Sequence, residues 1–401
     1  MIYLDNAATS FPKAPGVAEA TATFIREAAA NPGRAGHRMA TAAEHRLDEL
    51  RLKLARLFNA PEPQRIVFTL NGTDALNIAI KGVVGSGDAD AKTRPHVVTT
   101  VLEHNSVSRP LQALADAGRI DLTRVTCDVQ GRVDAADIRA ALTPRTRLVV
   151  LTHASNVTGT IQDAAAIGAI VREAGALFLL DAAQTAGVVP IDVRTMQVDL
   201  LALPGHKSLL GPTGTGVLYV GPRCGLPVDL VDDSDEAPPV WSPFREGGTG
   251  GDSATPTQPT LMPYFLEGGT PNTVGLAGLA AGLDYVLSHP MADTLAHEQQ
   301  LCGQLLETLQ QLPGCRVLGS PDPASRVGTV SFTVEGLDAS DLGSILDDSF
   351  DIAVRPGLHC SPYAHRRFDT FPDGGVRVSP GPFSTADDIA QLTDALQQVL
   401  A

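Results

Sequence analysis

The chain has 401 residues, of which 43 % are hydrophobic, and 45 acidic against 30 basic side chains give a formal net charge of −15. That length is too great for one small core, so two domains are expected. The acidic balance argues against nucleic acid as a partner, because phosphate neutralisation needs a basic stripe that is not present.

The middle of the chain alternates strand-like and helix-like segments. Short apolar runs lie at Arg65–Leu70, His96–Val101, Arg147–Thr152, Ala176–Leu180, Leu200–Leu203 and Gly216–Val220. They are rich in Leu and β-branched residues without strict alternation, the pattern of strands buried on both faces. Helical patterns lie between them, as at Thr73–Val84 and Ala164–Glu173, which predicts an α/β domain with a mainly parallel sheet. Asp232–Thr260 is rich in Pro, Gly, Asp, Ser and Thr and reads as a long loop or hairpin insertion. Thr273–Leu287 has a helical pattern long enough to bridge two lobes. Helices over Met291–Leu312, Ser340–Leu346 and Thr385–Leu400 then mix with strands at Cys315–Leu318, Gly328–Thr333, up to Arg355, and Gly375–Ser379, a smaller α+β domain.

No apolar run reaches the ~20 residues of a membrane span. Met1-Ile2-Tyr3-Leu4-Asp5-Asn6 lacks the basic and apolar parts of a secretion signal, so a soluble, cytoplasmic protein with no membrane partner is expected. The five cysteines (Cys127, Cys224, Cys302, Cys315, Cys360) are odd in number, widely spaced and without a C-x-x-C, which argues against a disulfide framework or a structural zinc site. No metal site is expected. The first four read as structural, and Cys302 is expected to pack from an amphipathic helix.

Polar clusters follow five of the predicted strands. Leu70-Asn71-Gly72-Thr73-Asp74-Ala75 opens a helix, and its N–H groups and Thr73 hydroxyl suit a phosphate; an ordinary N-cap has the same look. Glu103-His104-Asn105-Ser106 offers a histidine that can lie against an aromatic ring or move protons. Ser155-Asn156-Val157-Thr158-Gly159-Thr160 offers an amide; for both clusters a backbone-bonded loop residue is the plain alternative. Leu179-Leu180-Asp181-Ala182-Ala183-Gln184 places a carboxylate at a strand end, where ligands of open α/β sheets bind. A buried carboxylate there needs a cationic partner, such as a pyridinium, or a helix to cap. Leu203-Pro204-Gly205-His206-Lys207 puts a lysine in a glycine-rich bend, fit for a Schiff base or for solvent. Five such clusters on one rim predict a phosphate-bearing, ring-containing carbonyl cofactor.

Arg355-Pro356-Gly357-Leu358-His359-Cys360 stands apart. One cysteine sits beside a histidine and five residues after an arginine, in a bent segment without packing periodicity. A cationic setting favours the nucleophilic thiolate; an unremarkable loop cysteine is the other reading.

These motifs resemble, in order and nearly end to end, the class V, fold-type I pyridoxal 5'-phosphate enzymes, and within them the cysteine desulfurases and selenocysteine lyases. The resemblance runs from Tyr3-Leu4-Asp5-Asn6-Ala7-Ala8-Thr9 through the five clusters to Glu267-Gly268-Gly269-Thr270-Pro271-Asn272, Arg355–Cys360 and Val376-Arg377-Val378-Ser379. It implies a large cofactor domain over 15–265 with a seven-stranded sheet flanked by helices. The small domain would take 1–14 and 266–401, with 266–290 as linking helix.

The resemblance also implies roles. Lys207 would carry the cofactor as a Schiff base and shuttle the substrate α-proton. Asp181 would pair with the ring nitrogen, Gln184 with the ring hydroxyl, and His104 would stack on the ring. Thr73 and His206 would hold the phosphate, helped by Thr270 from the second subunit of a homodimer, and Asp74 would be among the cofactor-binding residues. Arg377 would bind the substrate carboxylate with Asn156 and Arg355 nearby, and Cys360 would attack the sulfur of L-cysteine or an analogue, leaving a persulfide for an acceptor protein and releasing alanine. A related C–S or C–Se lyase, or a cofactor-binding partner protein without turnover, are the alternatives. Three departures from the family pattern stand out: Pro204 where many members have Ser, Leu358 where a His is common, and Pro380-Gly381-Pro382 after Arg377. The segment Arg245–Pro263 resembles an insertion variant.

Overall fold

A computed structural model describes residues 1–33, 36–85, 93–229, 241–249 and 254–400. In chain order the elements are β1 (Ile2–Tyr3), α1 (Val17–Glu27), α2 (Arg38–Leu57), β2 (Ile66–Thr69), α3 (Gly72–Val84), β3 (His96–Thr100), α4 (Asn105–Asp116), β4 (Asp121–Val125), α5 (Ala135–Ala141), β5 (Thr146–Thr152), α6 (Ala164–Glu173), β6 (Leu177–Asp181), β7 (Leu200–Pro204) and β8 (Gly216–Val220). After them come α7 (Thr273–Ser288), α8 (Met291–Gln311), β9 (Cys315–Leu318), β10 (Val330–Val334), α9 (Ala339–Phe350), β11 (Ile352–Ala353), β12 (Arg355–Gly357), α10 (Pro362–Arg367), β13 (Gly375–Val378) and α11 (Ala386–Val399). Much of the loop expected over 232–260 lies outside the described residues, and its described parts, 241–249 and 254–260, form no helix or strand.

Seven strands form one sheet in the order β2-β8-β7-β6-β5-β3-β4. β8 runs antiparallel to both its neighbours and the other pairs are parallel, so β2, β7, β6, β5 and β3 end on one rim. The lack of polar alternation in these strands has a direct cause. Val149 and Leu151 pack into the core on one face of the sheet, Leu148 and Val150 into the core on the other. Both faces are covered, so neither can be polar. The edge strand β4, which the apolar runs do not reveal, is half-exposed over most of its length.

A second, antiparallel sheet has the order β12-β13-β10-β9. Its own core joins Leu301, Leu305 and Cys302 of α8 to Phe332, Val376, Val378 and Leu392. Cys302 is thus packed as expected, and Cys127 and Cys224 are buried too, while Cys315 is half-buried and Cys360 exposed. α7 buries Leu276, Leu279 and Leu283 in the core of the large sheet. β1 pairs in parallel with β11, and the residues after it run on to the large sheet's rim. No described helix is long and apolar enough to cross a membrane.

Candidate active site

A cavity of about 280 Å³ opens where the rim of the large sheet faces β12 and β13. At one end α3 begins. Asn71 caps it, its side-chain oxygen accepting the Asp74 N–H at 2.8 Å, and Asn71, Gly72 and Thr73 line the cavity. Thr73 Oγ1 lies 2.7 Å from Ser106 Oγ in the first turn of α4, and both line the cavity. Pro204 closes this end from below: a Cβ on Gly72 would come within 3.3 Å of its ring. His206 is fixed from behind by Thr9 Oγ1, 3.0 Å from its Nδ1, while Lys13 donates to the His206 carbonyl at 2.8 Å. Thr73, Ser106, His206 and the first turn of α3 make a corner whose chemistry suits an anion.

The middle of the rim holds the titrating groups. Asp181 is 3 % exposed, and its Oδ1 accepts the Ala183 N–H at 2.9 Å. Burial raises its carboxyl above the ordinary range, opposed by that hydrogen bond and by the charge of Lys207. Burial lowers the Lys207 amine to about 8; Arg377 pushes it the same way, while Asp181 and Asp5 oppose. His104 caps α4, its Nδ1 accepting the Ser106 N–H at 3.1 Å, which leaves the ring proton on Nε2. Burial and the charges of Lys207, Arg377 and Arg109 lower it to about 4, so the ring is neutral near pH 7. Gln184 donates to the Ala7 carbonyl at 3.2 Å. Behind this layer Glu103 is fully buried. Its Oε1 accepts from Thr100 Oγ1 at 2.8 Å and the Thr152 N–H at 3.0 Å, its Oε2 has no partner, and burial raises it to about 8.

The facing wall carries two arginines. Arg355 and Arg377 are paired across β12 and β13. Asp5, which follows β1, takes both: Arg377 Nη2 donates to Oδ1 at 2.7 Å, and Arg355 Nη1 lies 3.5 Å from Oδ2. Arg377 is 3 % exposed, also donates to the Asn156 carbonyl at 3.2 Å, and keeps its Nε without a partner. Asp5 lies within the N-terminal motif, yet nothing in sequence spacing points to this pairing; Ser106 is likewise a site residue without a sequence signal of its own.

Cys360 is exposed on the same wall. Its neighbour His359 does not act as a cation beside the thiol, contrary to the simplest sequence reading. That ring is buried and turned inward, with Nε2 2.9 Å from the Arg355 carbonyl, and burial holds it well below its usual pKa. The positive charge of the wall comes from Arg355 and Arg377. Asn156 lines the cavity, but both ends of its amide serve the Cys360 loop: Nδ2 donates to the His359 carbonyl at 2.6 Å and Oδ1 accepts from Ser361 Oγ at 2.7 Å.

The cavity thus gathers Thr73, His104, Asn156, Asp181, Gln184, His206, Lys207, Arg355, Cys360 and Arg377. Asp74 lies outside this cavity, and Thr270, expected to serve the site of a second subunit, does not line it. Asp74 faces Arg245, whose Nη2 is 3.7 Å from its Oδ2, because the helical turn that aims Thr73 at the cavity carries Asp74 round the axis. Thr270 is exposed and borders a separate, larger cavity with Arg51 and Glu267. There Glu267 is locked by Arg51 at 2.6 Å and by the Phe68 N–H at 2.6 Å.

The description Aminotransferase class-V fits residues 2–392. A probable cysteine desulfurase of Methanothermobacter thermautotrophicus is 34 % identical, over 99 % of this chain and 94 % of that protein. A cysteine desulfurase of Pectobacterium atrosepticum is 32 % identical, over 100 % and 93 %. The solved apo structure of a cysteine desulfurase from Thermococcus onnurineus NA1 superposes with a TM-score of 0.88 at 31 % identity, covering 100 % of this chain and 94 % of the other. With a parallel rim of this composition and matches of this length, the chain belongs to the class-V aminotransferase family.

Proposed function

We propose that the protein is a pyridoxal 5'-phosphate-dependent cysteine desulfurase that converts L-cysteine to L-alanine and retains the sulfur as a persulfide on Cys360. One observation carries the reading: the only exposed cysteine, Cys360, shares a cavity with Lys207, Asp181 and Arg377. The residues present fit the cofactor. The corner of Thr73, Ser106, His206 and the α3 N-terminus suits a phosphate, and Asp181 is a buried carboxylate whose burial calls for a cation such as a ring N–H⁺. His104 is neutral and free to lie against a ring, and Lys207 has an amine near neutrality for a carbonyl carbon. When bound, the cofactor supplies an electron sink for negative charge at the substrate Cα.

The chain's own groups do the rest. Arg377 binds the substrate carboxylate, with Arg355 adding a second positive charge. Lys207 Nζ takes the Cα proton and returns a proton to the product. The Cys360 sulfur attacks the substrate sulfur; the new S–S bond forms as the substrate Cβ–S bond breaks, and its electron pair goes to Cβ. Cβ takes the proton lost by the Cys360 thiol, so alanine leaves and a persulfide remains. The terminal sulfur then passes to a thiol acceptor, a protein or a small molecule. We further read the enzyme as a homodimer in which Thr270 of one subunit completes the phosphate corner of the other, since its exposure leaves it available.

The test is Cys360→Ala. Sulfide release from L-cysteine should fall by roughly 10²-fold or more, with the visible absorbance of bound cofactor retained. Unchanged desulfuration would reject the role of Cys360. Loss with cysteine but full turnover of selenocysteine would instead mark a C–Se lyase.

A further inference from the structure

Cys360 and His359 both have left-handed backbone conformations, with φ of 58° and 50°. For residues with a Cβ this conformation is costly and persists only where surrounding contacts impose it. Backbone contacts supply part of the restraint. The Cys360 carbonyl accepts the Asn105 N–H at 2.7 Å, and the Ser361 N–H returns to the Leu358 carbonyl at 2.9 Å.

The rest comes from a buried chain of side chains. The His359 ring is 6 % exposed and His365, on α10, is fully buried. His359 Nε2 faces the Arg355 carbonyl at 2.9 Å, His359 Nδ1 faces His365 Nε2 at 3.2 Å, and His365 Nδ1 faces Thr370 Oγ1 at 2.7 Å. A carbonyl can only accept, so this chain has one consistent hydrogen order. His359 carries its proton on Nε2 and gives it to Arg355. His365 then carries its proton on Nε2 and gives it to His359 Nδ1. Thr370 Oγ1, which also lies 3.3 Å from the His365 carbonyl, gives its hydrogen to His365 Nδ1, the nearer acceptor at 2.7 Å. Both rings are neutral, each in a single tautomer, and any ring turned over breaks two bonds at once.

The far end of the chain is itself fixed to the strand where the chain starts. Gly374 donates to the Thr370 carbonyl at 2.6 Å with φ of 85°, and a Cβ there would lie 2.2 Å from the Gly357 backbone. Thr370 is thus tied to β12 through Gly374, and the chain runs from β12 through α10 back towards β12 around Cys360. Nothing in the reaction above needs His365 or Thr370, and neither reaches the cavity.

We propose that His365 is a positioning residue for sulfur abstraction: through His359 it holds the Cys360 elbow in the left-handed conformation that presents the thiol to the substrate. This rests on Cys360 being the attacking thiol. The effect falls on the reacting geometry, not on substrate or cofactor binding. A displacement on the order of 1 Å at a nucleophile is enough to cost about 10²-fold in rate.

Three variants test it in the full-length holoenzyme. His365→Leu should lower kcat for L-cysteine about 10- to 100-fold, with KM and the cofactor absorbance unchanged, and should alter the rate of Cys360 alkylation by iodoacetamide. His365→Gln, whose amide can still donate to His359 Nδ1, should recover most of kcat. A folded His365→Leu with wild-type kcat and alkylation rate overturns the proposal, as does His365→Gln no better than His365→Leu. Should His365→Leu not fold, Thr370→Val decides. A fall in kcat of roughly two- to tenfold at constant KM supports the chain, and no change overturns it. Failure here leaves Cys360→Ala inactive, whereas failure of the desulfurase reading leaves Cys360→Ala active, so the two are told apart.

Discussion

The strand rim of the large sheet and the elbow carrying Cys360 face each other across one cavity, and they are held by different forces. On the rim each functional group sits at the end of a buried strand or in the first turn of a helix. Asp181 ends β6, Lys207 follows β7, and His104 and Asn71 are themselves helix caps. Their positions are by-products of packing the sheet on both faces. The elbow spans the gap between a three-residue strand, β12, and a six-residue helix, α10, a slighter scaffold. His359 and Cys360 take an unfavourable backbone form and are pinned from three directions: by the Asn156 side chain from the rim, the Asn105 backbone N–H from α4 and the His365 chain from α10. A rim of this kind tolerates changes in its ligand groups without losing shape. An elbow of this kind loses its shape when a remote hydrogen bond goes.

The largest expected effect tests the rim alone. Lys207→Ala should bring desulfuration below about 10⁻³ of wild type and abolish the visible absorbance of bound cofactor. The alkylation rate of Cys360 in the cofactor-free proteins should match between variant and wild type; a large difference there would show that rim and elbow are not separately built.

Asp5 joins the two regions, since it holds Arg377 and Arg355 at once. Asp5→Ala should lower kcat/KM for L-cysteine by about 10-fold, chiefly through KM, because the guanidinium loses its orienting partner. Steady-state kinetics decide it, and a fall confined to kcat would assign Asp5 to the elbow.

The smallest effect lies behind the rim, where α8 meets it. Glu298 is 5 % exposed, accepts the Gly328 N–H at 3.1 Å, and burial raises it to about 8. The folded state keeps this proton while the unfolded chain releases it near the ordinary carboxyl value. Wild-type stability should therefore fall as pH rises from about 4.5 to about 8, where Glu298→Gln shows no such contribution. Relative to wild type the variant should gain on the order of 1 kcal/mol or more between pH 5 and pH 8, measured by denaturant unfolding. Parallel pH curves would show that Glu298 is ionised in the fold.

The rim was the legible part of the molecule, for reasons its residues make plain. A strand buried on both faces must be continuously apolar, so Leu148–Leu151 or Leu200–Leu203 announce themselves, and polar residues just beyond them are conspicuous. β4 escapes because, with Asp121, Thr123 and Arg124 at a half-exposed edge, nothing forces it to be apolar. Asp5 and Ser106 escape for another reason. Their partners lie 372 and 33 residues away, and no local pattern records a pairing made only in the folded state. His359 misled because adjacency in sequence says nothing about where a ring points. In a left-handed turn the ring entered the core and left the thiol outside.

The segment after β1 has a consequence for how the protein is made. Residues 5–10 tie together parts of the chain far apart in sequence: Asp5 holds Arg377, Asn6 and Ala7 bond to Ser379, the Ala7 carbonyl receives Gln184, and Thr9 and Ser10 reach the His206 carbonyl. During synthesis all seven strands of the large sheet are out once β8 has emerged. The N-terminal strap cannot settle until Arg377 and Ser379 have also left the ribosome. The wall carrying Arg355 and Arg377 is therefore among the last features to form, and a nascent chain whose sheet strands have all emerged still lacks it.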